Sequence, residues 1–179
     1  MRFIGGGAKK MLRLIDRKYQ YAMHSTAYVH SINYCPNFTA NIALCSTEYP
    51  QPGKDLTSYQ SDLFFYRVAT KGLKPGDKFI GPYVATTIPD DGDVRFIKDI
   101  PEGRAIHNIE IKRGQGARYS RSAGSFATIL SHLPLKNQTL IILPSNKTIV
   151  VNNNCIATVG KVGNDAHFFA KYGKAGVSR

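Results

Sequence analysis

Short strand-forming runs, each closed off by Gly, Pro, Asn or Asp, recur along the whole chain, and no window carries a sustained 3.6-residue apolar period. The runs are 27–34, 40–45, 63–69, 78–81, 105–111, 126–130, 139–143, 148–151 and 155–159, rich in Val, Ile, Tyr, Phe and Thr. Strands this short point to an all-β chain built as small barrels or sandwiches. Residues 139–143 and 148–151 flank Pro144-Ser145-Asn146-Lys147 and read as a hairpin. The best helix candidate is one or two turns over 164–172, with Asn164 or Asp165 as cap and Gly173 as stop.

With 179 residues and 42% hydrophobic content, the chain has enough apolar side chains for a packed core. No apolar run approaches the roughly 20 residues of a membrane-spanning helix. Cys35, Cys45 and Cys155 are odd in number and widely spaced, which fits three buried thiols and neither a disulfide framework nor a zinc ribbon. Asp99-Ile100-Pro101-Glu102-Gly103 separates two groups of strands and marks the expected domain boundary.

The formal net charge is +12, which favours a polyanionic partner. It is concentrated in three places. Residues 1–18 carry six Lys/Arg against Asp16, 104–121 carry five against Glu110, and 161–179 carry four against Asp165, whereas 48–99 hold eight of the twelve acids. The central segment, 112–124, reads Lys-Arg-Gly-Gln-Gly-Ala-Arg-Tyr-Ser-Arg-Ser-Ala-Gly. Its glycines allow close backbone approach, and its Arg side chains suit phosphate and base stacking. One such loop is equally at home as a solvated surface. Three of them, with Phe3 and Tyr19, Tyr119, and Tyr172 as neighbouring aromatics, make a broad RNA contact the better reading. The expected contacts are Arg2, Lys9, Lys10, Arg13, Arg17 and Lys18 in the first segment. The second supplies Lys112, Arg113, Gln115, Arg118, Tyr119, Arg121 and Ser122. The third supplies Lys161, Asn164, His167, Lys174 and Arg179.

Catalytic chemistry finds little support. The Gly-Lys pairs at 53, 160 and 173 lack the Ser or Thr of a phosphate loop. Asp90-Asp91-Gly92-Asp93 lacks a full calcium ligand ladder and reads as an acidic surface turn. His24, His30, His107, His132 and His167 form no metal-ligand or nucleophile-base spacing. No enzyme, cofactor or protein-bound metal is expected; structural Mg2+ would belong to the RNA. The loop 49–61 reads as an exposed hairpin loop.

The chain also resembles a known family. Arg2-Phe3-Ile4-Gly5-Gly6-Gly7-Ala8-Lys9-Lys10 with Arg13-Leu14-Ile15-Asp16 is similar to the start of the body of universal large-subunit ribosomal protein two. Matching motifs follow in order: Lys71-Gly72-Leu73-Lys74-Pro75-Gly76-Asp77, Ile100-Pro101-Glu102-Gly103, His107-Asn108-Ile109-Glu110, and Gly114-Gln115-Gly116 leading to Arg121-Ser122-Ala123-Gly124. Leu143-Pro144-Ser145, Cys155 with Ala157-Thr158-Val159-Gly160, Val162-Gly163-Asn164, and Gly173-Lys174-Ala175-Gly176 complete the series.

The resemblance implies an OB-type barrel followed by an SH3-like barrel, with basic extended ends. The expected divisions are a basic extension over 1–18, the OB-like barrel over 19–99, the SH3-like barrel over 100–172 and a basic C-terminal extension over 173–179. It further implies a structural, non-enzymatic protein that binds large-subunit ribosomal RNA near the peptidyl-transferase region and adjoins other ribosomal proteins. A free RNA-binding regulator on the same two barrels is the alternative. Two departures stand out: Ala8 replaces the family's usual His, and Ile156 the usual Arg. The family's C-terminal tail with its His-Pro-His-Gly-Gly-Gly motif is not in the sequence; the two expectations are a separate polypeptide that supplies it, as a further partner, or its loss. These features together point to a mitochondrial ribosome, with another organellar or bacterial-type ribosome as the alternative.

Overall fold

The computed structural model describes residues 10–21, 23–47, 64–84 and 88–174. The regular elements among the described residues are twelve short strands and three 3-10 turns, so the all-β architecture expected from the turn-punctuated pattern is the one observed. The loop 49–61 and the outermost parts of both basic ends lie outside the described residues.

The first sheet has the order β3-β2-β1-β4, from β1 (Thr26–Asn33), β2 (Ile42–Ser46), β3 (Phe64–Val68) and β4 (Lys78–Ile80). Its pairings are antiparallel, and the register of β1 against β2 shifts between Val29 and Ser31, a bulge that bends the strand. The second sheet runs β11-β10-β9-β6-β12-β5. Its members are β5 (Val94–Phe96), β6 (Ala105–His107), β9 (Ala127–Leu133), β10 (Gln138–Ile142), β11 (Thr148–Asn152) and β12 (Ile156–Val159). A two-stranded ribbon, β7 (Ile109–Glu110) with β8 (Ala117–Tyr119), carries the central basic loop. The hairpin expected around Pro144–Lys147 is β10–β11, with Asn146 at φ 62 and the Leu143 amide donating to the Lys147 carbonyl at 2.9 Å.

The structure corrects four sequence expectations. The run 105–111 is broken at Asn108, whose φ of 53 ends β6 and starts β7 in a new direction. The domain boundary at 99–103 falls too late: β5 precedes it yet pairs with β12 as the edge of the second sheet. A three-residue strand has too little periodicity to announce itself, and β5 is fixed by its partner. The candidate helix is a 3-10 turn over Asp165–Phe169, with Asn164 in the left-handed region and no side-chain cap; it ends before Gly173. Asp93 is buried, so the Asp90–Asp93 turn is not simply an acidic surface feature. Asp93 accepts from the Ile80 and Asp90 amides and faces Arg95 at 3.4 Å.

The two sheets share a wall. β12 is buried along its whole length. Ile156 packs with Val94 into the first core beside Val29, Cys45 and Phe79, whereas Ala157 and Val159 pack into the second beside Ile106, Ile129 and Ile141. Alternate residues of one strand therefore serve two cores, as the period of 2 requires. Ile156, the residue that departs from the family's Arg, is fully buried here in the first core. All three cysteines are buried and unpaired.

A polar seam accompanies this wall. Tyr19 is buried; its hydroxyl donates to the Asn108 carbonyl and lies 3.3 Å from Thr158 Oγ1. Burial pushes its phenol far above the ordinary value, and the ring is core rather than the RNA stacker expected from its basic surroundings. Arg67 sits 3.9 Å over the Phe79 ring and donates to the Gly92 carbonyl at 2.9 Å, tying the first sheet to the turn before β5. His107 is fully buried between Thr70 Oγ1 and the Gly160 carbonyl.

Candidate nucleic-acid interface

A turn that the sequence reading passed over, residues 34–39, organises the basic surface. Pro36 is buried and fixes the turn, while Asn37 and Thr39 stay exposed with Phe38 half-buried between them. Each basic segment is fastened to it. From the first, the Met11 carbonyl accepts from Asn37 Nδ2 at 3.0 Å. From the second, the Ala123 amide donates to Thr39 Oγ1 at 3.0 Å. From the third, Asn164 Nδ2 donates to the Thr39 carbonyl at 2.8 Å.

The first and second segments also meet directly. The Ala117 amide donates to the Arg17 carbonyl at 2.8 Å. Gly116, at φ 83, leaves little room for a side chain, since an added Cβ would lie 3.0 Å from the same carbonyl oxygen. Asp16 holds its own turn, accepting from the Lys18 and Tyr21 amides. Charge is gathered as a result. Arg17 and Arg121 both lie against the Phe38 ring, at 5.6 and 5.9 Å from its centroid. Burial, with Arg17 and Arg118 nearby, lowers the basicity of Arg121. Among the described residues no carboxylate forms an ion pair with Arg17, Arg118 or Arg121. Like charges held together without a counter-ion are stabilised by an incoming polyanion.

Two grooves open on this surface and share Asn37, Phe38 and Thr39. One continues over Arg118, Tyr119, Arg121 and Ser122; the other over Lys10, Tyr34, Asn164, His167 and Tyr172. Among the described residues no Asp or Glu lines either. Of the expected contact residues, Lys10, Arg17, Arg118, Tyr119, Arg121, Ser122, Asn164 and His167 thus converge on one face. Tyr119 also packs partly into the second core. Lys18 is exposed, with its stem against Gly116. Lys112 and Gln115 are exposed at the tip of the loop, and Lys174 is exposed beyond the 3-10 turn.

Others go elsewhere. Arg113 folds back on the protein, 3.5 Å from the buried Glu110 carboxylate, donating to the Tyr83 hydroxyl at 3.3 Å and lying 5.3 Å over Phe96. Arg13 lines a separate groove with Leu12, Asp16 and Tyr66. Lys161 lies 4.1 Å over Phe126 and lines a fourth groove, with Lys71 and Arg104. Arg2, Lys9 and Arg179 lie outside the described residues. The residues missed from sequence are Tyr34, Asn37, Phe38 and Thr39. A Pro-Asn turn followed by an aromatic was their only local signal. Among the described residues no group of His, Cys, Asp and Glu is placed to hold a metal ion.

Comparison with known proteins identifies the family. The family model described as Ribosomal Proteins L2, RNA binding N-terminal domain, matches residues 1–81, and that described as Ribosomal Proteins L2, C-terminal domain, matches 90–179. The chain belongs to the ribosomal protein L2 family. The order of the two matches is that of the expected OB-type and SH3-like barrels, and the interval between them falls before β5, as the strand pairing requires.

The large ribosomal subunit protein uL2 of Bacteroides thetaiotaomicron is 37% identical over 179 residues, covering 100% of this chain and 59% of the relative. That of Buchnera aphidicola subsp. Cinara cedri is 38% identical over 180 residues, covering 99% and 59%. That of Parabacteroides distasonis is 38% identical over 179 residues, covering 100% and 59%. The chain therefore spans about three fifths of the length of the curated relatives it matches.

Proposed function

We propose that this chain is a structural component of the large ribosomal subunit. It binds ribosomal RNA near the peptidyl-transferase region and supports subunit assembly and association, with no catalysis of its own. The observation that carries the reading is the pair of acid-free grooves joined at Phe38, where side chains from all three basic segments meet. Guanidinium groups there meet phosphates and aromatic rings offer stacking surfaces, the combination that folded RNA requires. Family membership supplies the particle, since the relatives' names place those proteins in the large subunit.

Sedimentation of the tagged chain tests the reading. Co-migration with the large subunit through high-salt gradients is the expected result. Recovery only in light fractions, bound to other RNA, would establish the free regulator instead.

The particle we favour is a mitochondrial ribosome. Identity of only 37–38% to bacterial relatives supports it, as do the departures at Ala8 and Ile156. The bacterial source of those relatives favours a bacterial-type ribosome as the second reading. Fractionation of source cells, followed by mass spectrometry of the purified ribosome, distinguishes them. The same inventory shows whether a separate polypeptide carries the His-Pro-His-Gly-Gly-Gly motif.

A further inference from the structure

Phe168 and Phe169 are 88% and 78% exposed, next to each other on the 3-10 turn Asp165–Phe169. Their rings meet edge to face, with centroids 5.5 Å apart and planes at 85°. Large aromatic rings normally supply core or interface area, and two adjacent ones left in water call for a partner.

The turn that bears them is fastened on one side. Asn164 is tied to Thr39, Asp165 forms a 2.6 Å ion pair with Lys71, and Gly124 leaves space that a Cβ would lose, 3.1 Å from Asp165 Cβ. The same turn bears His167, which lies 3.3 Å from the Tyr172 hydroxyl and lines the groove holding Lys10, Tyr34 and Phe38. The acid of the turn is occupied by Lys71, while Lys171 and Lys174 follow it and are exposed. The rings therefore project beside a basic, aromatic groove. That setting suits a strand of negative charge carrying flat apolar faces, which describes unpaired RNA.

We infer that Phe168 and Phe169 form a stacking wedge for unpaired bases of the RNA whose backbone follows this groove. The inference rests on the RNA-binding reading above and adds to it the kind of RNA recognised: bases splayed out of a helix. Each ring offers a face to a base, and the perpendicular rings favour a kink between two successive bases over a continuous stack. Base–aromatic stacking tolerates any sequence, so the wedge selects unpaired structure.

The full chain is titrated with a 12-nucleotide single-stranded RNA containing 2-aminopurine, and with a 12-base-pair RNA duplex. F168A/F169A is compared with wild type, with F168Y/F169Y, which keeps both rings, and with R118A/R121A. Both rings are solvent-facing, so the fold is expected to persist in each aromatic variant.

Support for the wedge is a loss of about tenfold or more in single-strand affinity in F168A/F169A. It comes with loss of the 2-aminopurine fluorescence change seen on wild-type binding, an unchanged salt slope, unchanged duplex binding and recovery in F168Y/F169Y. Unchanged single-strand affinity and 2-aminopurine fluorescence change in F168A/F169A, with weakened binding in R118A/R121A, overturns the wedge and leaves the RNA-binding reading standing. Failure of wild type to bind either RNA overturns both. Normal RNA binding in F168A/F169A, with loss of one neighbouring protein from the purified particle, overturns the wedge by assigning the rings to a protein contact.

Discussion

The side-chain amide of Asn164 donates to the backbone carbonyl of Thr39 at 2.8 Å, joining positions 125 residues apart. Asn164 does this from the left-handed region, at φ 62, where Asn is among the few tolerated side chains. The bond holds the third basic segment against the turn that also anchors the first two.

Substitution at Asn164 separates its two roles. N164G keeps the left-handed backbone and removes the bond, at a cost of about 0.5–1.5 kcal/mol. N164A adds the left-handed penalty, roughly 1–2 kcal/mol more. Chemical denaturation measures both. Equal stability of the two variants would show that the backbone conformation carries no cost.

The arginines divide by what they touch. R17A, R118A and R121A are expected to flatten the log–log salt dependence of RNA binding by about 0.7–0.9 per lost phosphate contact, with little change in stability. R113A is expected to do the reverse. It leaves the slope unchanged and destabilises the fold by about 1–2 kcal/mol, because the buried Glu110 loses the cation 3.5 Å away. A reduced salt slope in R113A would place that side chain on the RNA instead.

Acid sensitivity has an identifiable source in His107. Burial, opposed by the Gly160 carbonyl, lowers its pKa to about 3 from 6.5. The contribution is full above the unfolded value near 6.5 and is lost as pH falls toward 3, because only the unfolded chain takes the proton in that window. One proton corresponds to about 1.4 kcal/mol per pH unit. Subtracting the stability curve of H107Q from that of wild type isolates this slope from the carboxylates. A flat difference between pH 6.5 and 4 would show that His107 titrates normally.

Two glycines in one loop predict unequal effects. Gly114 has φ 81 with nothing within 4 Å of an added Cβ, so G114A carries only the backbone penalty, roughly 1–2 kcal/mol. Gly116 has φ 83 and the Arg17 carbonyl 3.0 Å away, so G116A also pushes the first basic segment off the second. G116A is expected to lose more stability and to weaken RNA binding, which G114A preserves. Melting curves and RNA titrations of the two proteins check the order.

Local pattern determined a good deal by itself. Alternating apolar runs closed by turn residues gave most strands within a residue or two, because period and turn chemistry are properties of neighbours along the chain. The three basic segments were equally legible, since charge density needs no tertiary contact to be counted. Tertiary structure alone decided how they combine. β5 exists because β12 pairs with it, and β8 because β7 does; neither three-residue run carries a readable period. Tyr19 sits in a basic segment yet is buried on a seam with Asn108 and Thr158, residues far along the chain. Arg113 and Arg118 belong to the same loop, but only the partners that folding brings, Glu110 for one and the Phe38 groove for the other, separate structural cation from candidate contact. Burial and pairing arise between residues distant in sequence, so charge composition specified the kind of partner and the fold specified the face.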